Sequence, residues 1–125
     1  MIIAIDPGVS TGIAWHDNSG YHSIVTRDED DVWNLLVGIK WSMVVYETFF
    51  TSGRISAPGL QTVRLIGGIQ ALCRHLKLPT HGQAPQQRYP FQDNAKAMLR
   101  GRIVHEQDAM AHLLRYEYDN PPGGD

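Results

Sequence analysis

Met1-Ile-Ile-Ala-Ile-Asp-Pro-Gly-Val-Ser-Thr-Gly-Ile-Ala-Trp-His16 is the stretch from which we predict the fold. Residues 2–5 form an apolar run rich in β-branched side chains, which predicts a strand buried on both faces. The run ends on Asp6, and Pro7 and Gly8 then break the strand. A carboxylate at the end of a buried strand is costly without a partner. Asp6 should therefore face a cation, a phosphate held through a metal or a base, unless it only closes an Asp-Pro-Gly turn.

The rest of the chain predicts an α/β fold with a mixed five-stranded sheet flanked by helices. Further strands are predicted around residues 13–15, 21–26, 43–46 and 78–84. A first helix is expected to begin within residues 27–31 and to end at Ile39. Further helices are expected over residues 61–77, 92–100 and 104–118, with loops over 48–60 and 85–90. Gly67 and Gly68 inside the long helix are expected to permit close packing. We predict one domain over residues 1–118 and a flexible tail over 119–125.

Composition and charge are typical of a globular protein with a basic middle segment. No apolar run is long enough for a membrane span, so no membrane partner is expected. The single cysteine, Cys73, excludes an internal disulfide, favours a reducing, cytoplasmic compartment and is expected to be a packing residue. Residues 54–115 carry nine Lys and Arg but three Asp and Glu, whereas residues 1–53 carry two and seven. These basic residues either bind a polyanion or cover solvated helix faces.

Three acidic positions are expected to carry chemistry. Asp6 and Glu47 each end a predicted buried strand, so their carboxylates are expected at one sheet edge. In the last helix His105, Asp108 and His112 have the spacing i, i+3, i+7 and share one face. Clustered carboxylates require cations, and Mg²⁺ or Mn²⁺ suit oxygen ligands. Two such ions about 3.5–4 Å apart catalyse phosphodiester hydrolysis.

Other interpretations of the helix motif stay open. The two histidines also fit surface or capping positions, and Asp108 fits a solvated acid. A zinc site of His105, Asp108 and His112 has conceivable spacing, although no thiolates support it.

Taken together, these motifs resemble a known family. Three stretches resemble RuvC-type Holliday-junction resolvases in their order and in the type of element that carries each acid. They are Ile5-Asp6-Pro7-Gly8 with Thr11-Gly12, Val45-Tyr46-Glu47-Thr48-Phe49 and Asp108-Ala109-Met110-Ala111-His112. The resemblance implies an RNase H-like fold, a homodimer, and nicking of four-way junctions and related branched DNA with two Mg²⁺ or Mn²⁺ ions. It implies that Asp6, Glu47 and Asp108 are three of the family's four catalytic, metal-binding acids.

His105 stands at the position of the family's fourth acid. Imidazole is a poor ligand for Mg²⁺ but acceptable for Mn²⁺, and it can instead orient water or phosphate. Glu106 is the neighbouring alternative, but it points about 100° away around the helix, given ~3.6 residues per turn.

The resemblance also suggests DNA contacts. Phe49 follows the second acid, where the family has an aromatic residue near the crossover of the junction, and we expect it to stack on a base or wedge between base pairs. The predicted phosphate contacts are Arg54, Arg88, Lys96, Arg100 and Arg102. Two alternatives are a nuclease of the same fold acting on structured RNA or flaps, and a non-catalytic DNA-binding protein with a degraded site.

Overall fold

The computed structural model describes residues 1–49, 53–101 and 104–121. The strands are β1 (Ile2–Asp6), β2 (Thr11–Asp17), β3 (Gly20–Thr26), β4 (Met43–Glu47) and β5 (Thr80–Gln83). The helices are α1 (Glu29–Gly38), α2 (Ala57–Leu76), α3 (Gln92–Met98) and α4 (Val104–Asp119), with a 3₁₀ helix over Pro85–Phe91. No helix of the described residues has both the length and the apolar character needed to cross a membrane.

The strands form one mixed sheet in the order β3-β2-β1-β4-β5. β1, β2 and β3 are an antiparallel meander, since short turns join them, whereas β4 and β5 run parallel to β1 and follow helical crossovers. The prediction of a mixed five-stranded sheet flanked by helices is confirmed.

One face of the sheet packs large side chains against α1 and α2. β1 contributes Ile3 and Ile5, while β4 contributes Val44 and Tyr46, because alternate residues of a strand point to the same face. Trp41 closes the end of this layer and donates from Nε1 to the Leu35 carbonyl at 2.9 Å.

The opposite face packs small side chains against α4. This layer is built largely from the alanines Ala4, Ala14, Ala95, Ala109 and Ala111. Small side chains allow the helix backbone to approach the sheet closely. At Gly12 the helix backbone is so near that an added Cβ would lie 1.9 Å from the backbone oxygen of His105.

One predicted helix boundary and one predicted loop are wrong. α2 begins at Ala57 rather than at residue 61, because Ser56 caps it by accepting from the Gly59 N–H at 3.1 Å. The segment predicted as a loop over 85–90 is helical. Gly68 packs closely as expected, since an added Cβ would lie 2.6 Å from the Trp33 ring. At Gly67 an added Cβ would meet no other part of the described chain within 4 Å.

Candidate active site

A row of side chains crosses the sheet at the carboxyl ends of β1, β4 and β5. Asp6 and Glu47 follow Ala4 and Val45 by two residues, so both project from the alanine-rich face. The parallel register pairs Ile5 with Tyr46, which brings the next two residues, Asp6 and Glu47, side by side. On the far side Glu47 pairs with Gln83.

α4 crosses this row with the face that carries His105, Asp108 and His112. His105 Nδ1 lies 3.7 Å from Asp6 Oδ2 at one end of the row. About two turns farther along the same face, His112 Nδ1 lies 2.7 Å from Gln83 Oε1 and its Nε2 lies 3.6 Å from Glu47 Oε2. The strand-end acids and the helix therefore meet at one sheet edge.

Arg88 enters the same cluster from the 3₁₀ helix. Its Nη1 donates to Glu47 Oε1 at 2.6 Å and to the Pro85 carbonyl at 3.1 Å, and its Nε lies 3.4 Å from Asp108 Oδ1. The side chain is 19% exposed. The structure thus places Arg88 among the acids rather than on an open basic surface, and its contact with DNA phosphate stays a prediction.

The clustered acids perturb each other's protonation. Burial raises the pKa of Asp6 to about 9, reinforced by a hydrogen bond with Glu47 and by the charges of Glu47 and Asp108, while Arg88 opposes the shift. Burial alone would raise the pKa of Glu47, but the facing His112, the hydrogen bond from Asp6 and the charge of Arg88 lower it to about 2. Their interaction therefore favours the protonated form of Asp6 and the ionised form of Glu47. Burial also raises the pKa of Asp108, which Arg88 partly offsets.

The donor set fits a hard divalent cation in its chemistry. Asp6, Glu47 and Asp108 offer carboxylate oxygens, which Mg²⁺ and Mn²⁺ prefer. The pKa of Asp6 is raised chiefly by burial, and the charges of Glu47 and Asp108 add to the shift while Arg88 opposes it. As they stand, no three His, Cys, Asp or Glu side chains in the described part of the chain are grouped to hold a metal ion. The Arg88 guanidinium lies among these acids and contacts both Glu47 and Asp108.

The alternative zinc site is not formed, because its histidines face different partners. His105 lies beside Asp6 with 47% of its side chain exposed, whereas His112 is fully buried beside Gln83. The interpretation of His112 as a surface or capping residue is therefore wrong. Glu106 is also buried, and it accepts from Ser23 Oγ at 2.6 Å on β3.

The predicted DNA contacts lie in different places. Phe49 is 39% exposed and its ring lies against Gly59 of α2. Lys96 is exposed and lines a cleft of about 270 Å³ together with Asp108. Arg54 and Arg100 are exposed, whereas Arg102 lies outside the described residues.

Sequence reasoning missed Gln83 and the place of His112 in the site. Both side chains are fully buried, and both lie next to Glu47. The i, i+4 spacing of Asp108 and His112 was the available signal for the histidine. No comparable signal marks Gln83, because its strand is short and only its pairing with Glu47 reveals its position.

No protein-family model and no curated protein matches the chain. Among solved structures, it is similar to T. thermophilus RuvC in complex with a Holliday junction substrate, at a TM-score of 0.71 and 15% identity over 98% of this chain and 96% of that one. A second Thermus thermophilus RuvC structure matches at 0.67 and 17% identity, over 94% and 93%. The Fowlpox virus resolvase in complex with substrate Holliday junction DNA matches at 0.61 and 13%, over 95% and 99%.

These likenesses cover nearly the whole of both chains in each pair. The chain therefore has the RuvC-type resolvase fold, an RNase H-like mixed sheet flanked by helices.

Proposed function

We propose that this protein is a metal-dependent, structure-selective DNA endonuclease that nicks Holliday junctions and related branched DNA. One observation carries the proposal: Asp6, Glu47 and Asp108, from three separate elements, meet at one sheet edge. Three carboxyl groups there share the guanidinium of Arg88, which leaves a deficit of positive charge. A divalent cation and a phosphate together resolve such a deficit.

Asp6, Glu47 and Asp108 are the residues that would hold two Mg²⁺ or Mn²⁺ ions. When bound, such ions supply an activated water and neutralise charge on the leaving oxygen. Water adds in line to the phosphorus as the bond to O3′ breaks, which leaves a 3′-hydroxyl and a 5′-phosphate. His105, exposed beside Asp6, is placed to orient water or phosphate.

Arg88 gives the site a cation of its own in the absence of metal. Its guanidinium contacts Glu47 and Asp108, and guanidinium also matches phosphate geometry. We propose that Arg88 leaves the acids for a DNA phosphate when metal and substrate bind. Lys96, Arg100 and Arg54 would contact flanking phosphates, and Phe49 would stack at the branch point.

The proposed substrate is a four-way junction and the proposed assembly is a homodimer. Two of the similar solved structures contain Holliday junction DNA. A symmetric dimer would nick two strands of such a junction in matching positions. We propose that this takes place in the cytoplasm, where a lone Cys73 stays reduced.

The test is cleavage of a labelled four-way junction by wild type and Asp6→Asn, in Mg²⁺ and in Mn²⁺. We expect nicking by the wild type, stronger in Mn²⁺ if His105 is a ligand. Asp6→Asn keeps the shape but removes the charge, so its rate should fall by at least about 100-fold. Equal rates for the two proteins would reject the role of Asp6.

The non-catalytic alternative has one observation in its favour. Arg88 already occupies the space between two of the proposed metal ligands. Junction binding without nicking in either metal would establish that alternative. Parallel flap and structured-RNA substrates decide which branched nucleic acid is cut, if nicking is found.

A further inference from the structure

Gln83 and His112 form a buried polar pair behind the acids. Both side chains are 0% exposed, and His112 is flanked by the buried Ala111 and Leu113. Their hydrogen bond joins the edge strand β5 to α4 at 2.7 Å. Two polar side chains in an apolar layer cost stability relative to apolar side chains of the same shape, so packing alone does not explain them.

The pair is oriented toward Glu47. Gln83 Oε1 only accepts, so the hydrogen of the bond is on His112 Nδ1, and the ring is fixed with Nε2 toward Glu47 Oε2. Gln83 is itself held in place, because its backbone carbonyl accepts from both the N–H and the hydroxyl of Thr48, at 2.8 and 3.2 Å.

Buried polar atoms without a partner concentrate at the same point. In the described ranges, the buried side-chain nitrogens and oxygens that lack a hydrogen bond are Gln83 Nε2, His112 Nε2 and Arg88 Nε. All three belong to side chains around Glu47. Unsatisfied buried groups are rare in native structures and are tolerated where function requires them.

The two oxygens of Glu47 have different surroundings. Oε1 accepts from Arg88, which reaches it from the partly exposed side, whereas Oε2 faces the fully buried His112. Oε2 therefore faces a buried side chain of the protein at 3.6 Å, while Oε1 faces a cation that is able to exchange.

We propose that His112, oriented by Gln83, is a positioning residue that fixes the carboxylate of Glu47 so that Oε1 is presented to a cation. This inference rests on the proposed nuclease function and assigns a role that the three acids do not cover. Residues behind metal ligands typically change metal affinity or activity by about 10–100-fold.

A matched pair of substitutions tests which ring nitrogen of His112 the role depends on. In His112→Asn the amide replaces Nδ1 and keeps the bond to Gln83, whereas in His112→Gln it extends to the position of Nε2. We expect His112→Asn to weaken Mn²⁺ binding by about 10–100-fold in calorimetric titrations, and His112→Gln to retain most of the affinity. Nicking should follow the same order, with kcat lowered and KM for the junction unchanged.

The double variant Gln83→Leu/His112→Leu separates positioning from packing. It removes both buried polar groups together, so its thermal unfolding temperature should stay near that of the wild type. Its Mn²⁺ affinity should nevertheless fall as in His112→Asn. His75→Gln, an exposed histidine on α2, serves as a control that should leave affinity and nicking unchanged.

Wild-type Mn²⁺ affinity in both His112→Asn and the double variant would overturn the inference and leave the nuclease proposal standing. If the wild type binds Mn²⁺ but nicks no branched DNA, the nuclease proposal fails, and the affinities of the variants still decide the role of His112. If the wild type does not bind Mn²⁺, both are overturned.

Discussion

The two faces of the sheet are packed by opposite means. Toward α1 and α2, the layer consists of large side chains such as Ile3, Leu36 and Trp41. Toward α4 it consists largely of alanines, and at Gly12 the helix backbone lies where a side chain would be. Both layers bury apolar surface, but only the second brings a helix backbone against the sheet.

The difference assigns a separate role to each face. Large side chains bury more area and contribute more to stability, at about 25 cal/mol per Å². Small side chains shorten the distance between helix and sheet, so the short carboxylate of Asp108 reaches the cluster formed by Asp6 and Glu47. The stabilising face and the candidate active site are therefore on opposite sides of one sheet.

Gly12→Ala should produce the largest effect, because it separates α4 from the sheet. The new Cβ would lie 1.9 Å from the His105 carbonyl oxygen, a backbone atom that moves only with the helix. We expect a loss of about 3 kcal/mol or more in unfolding free energy, and loss of junction nicking by the folded fraction. Chemical denaturation measures the first and a nicking assay the second. Wild-type values for both would contradict the close approach of α4.

Asp6→Asn should stabilise the metal-free protein, since burial and the neighbouring acids of the α4 face both disfavour the ionised carboxylate of Asp6. The pKa of Asp6 is raised to about 9 in the folded state. Between its ordinary pKa and that value, the folded state binds a proton that the unfolded state lacks, so wild-type stability falls as pH rises.

The asparagine variant lacks this dependence. We expect it to be more stable by roughly 2 kcal/mol or more at pH 8, since one pKa unit corresponds to about 1.4 kcal/mol. The gain should shrink toward pH 4. Unfolding in EDTA between pH 4 and pH 9 measures it, and a constant difference across that range would show that Asp6 is not perturbed.

Gly68→Ala should have a smaller effect that is confined to the other face. Its Cβ would lie 2.6 Å from the ring of Trp33, and a partly buried side chain yields more readily than backbone. We expect a loss of about 1–2 kcal/mol, with Mn²⁺ binding and nicking retained by the folded protein. A loss of Mn²⁺ affinity that exceeds the loss of stability would mean that the two faces are coupled.

Gly67→Ala should have the smallest effect and the opposite sign. This glycine is exposed within α2, and among residues 1–49, 53–101 and 104–121 an added Cβ would meet no packing neighbour within 4 Å. Replacing a helical glycine by alanine stabilises by roughly 0.5–1 kcal/mol through the unfolded state. Thermal unfolding compared with Gly68→Ala checks the contrast, and a destabilised variant would show that α2 has an unseen neighbour at Gly67.

The opening strand and the three acids were predicted from local patterns. A β-branched run ending on Asp6, a second ending on Glu47, and the spacing around Asp108 are all properties of short segments. In the structure Glu47 and Asp108 lie close enough to Asp6 to affect its charge, while the role of the three acids as metal ligands stays a prediction.

The contact of Arg88 with the acids, the place of Gln83 and the buried position of His112 were not predicted, because they depend on contacts between distant segments. Arg88 reaches the acids only because residues 85–91 coil into a 3₁₀ helix, where a loop was expected. Gln83 lies beside Glu47 because β4 and β5 pair in parallel. A long helical crossover joins these strands, so no tight turn fixes their register in the sequence.

The sequence by itself determined the buried strands, the small-residue face and the identity of the acids, because periodicity and side-chain chemistry act within a few residues. Only the tertiary structure decided which partners surround those acids. Glu47 lies between Arg88 on its exposed side and His112 on its buried side because three elements, each with its own register, pack at one edge. Their relative placement follows from the packing of whole layers, and no single segment specifies it.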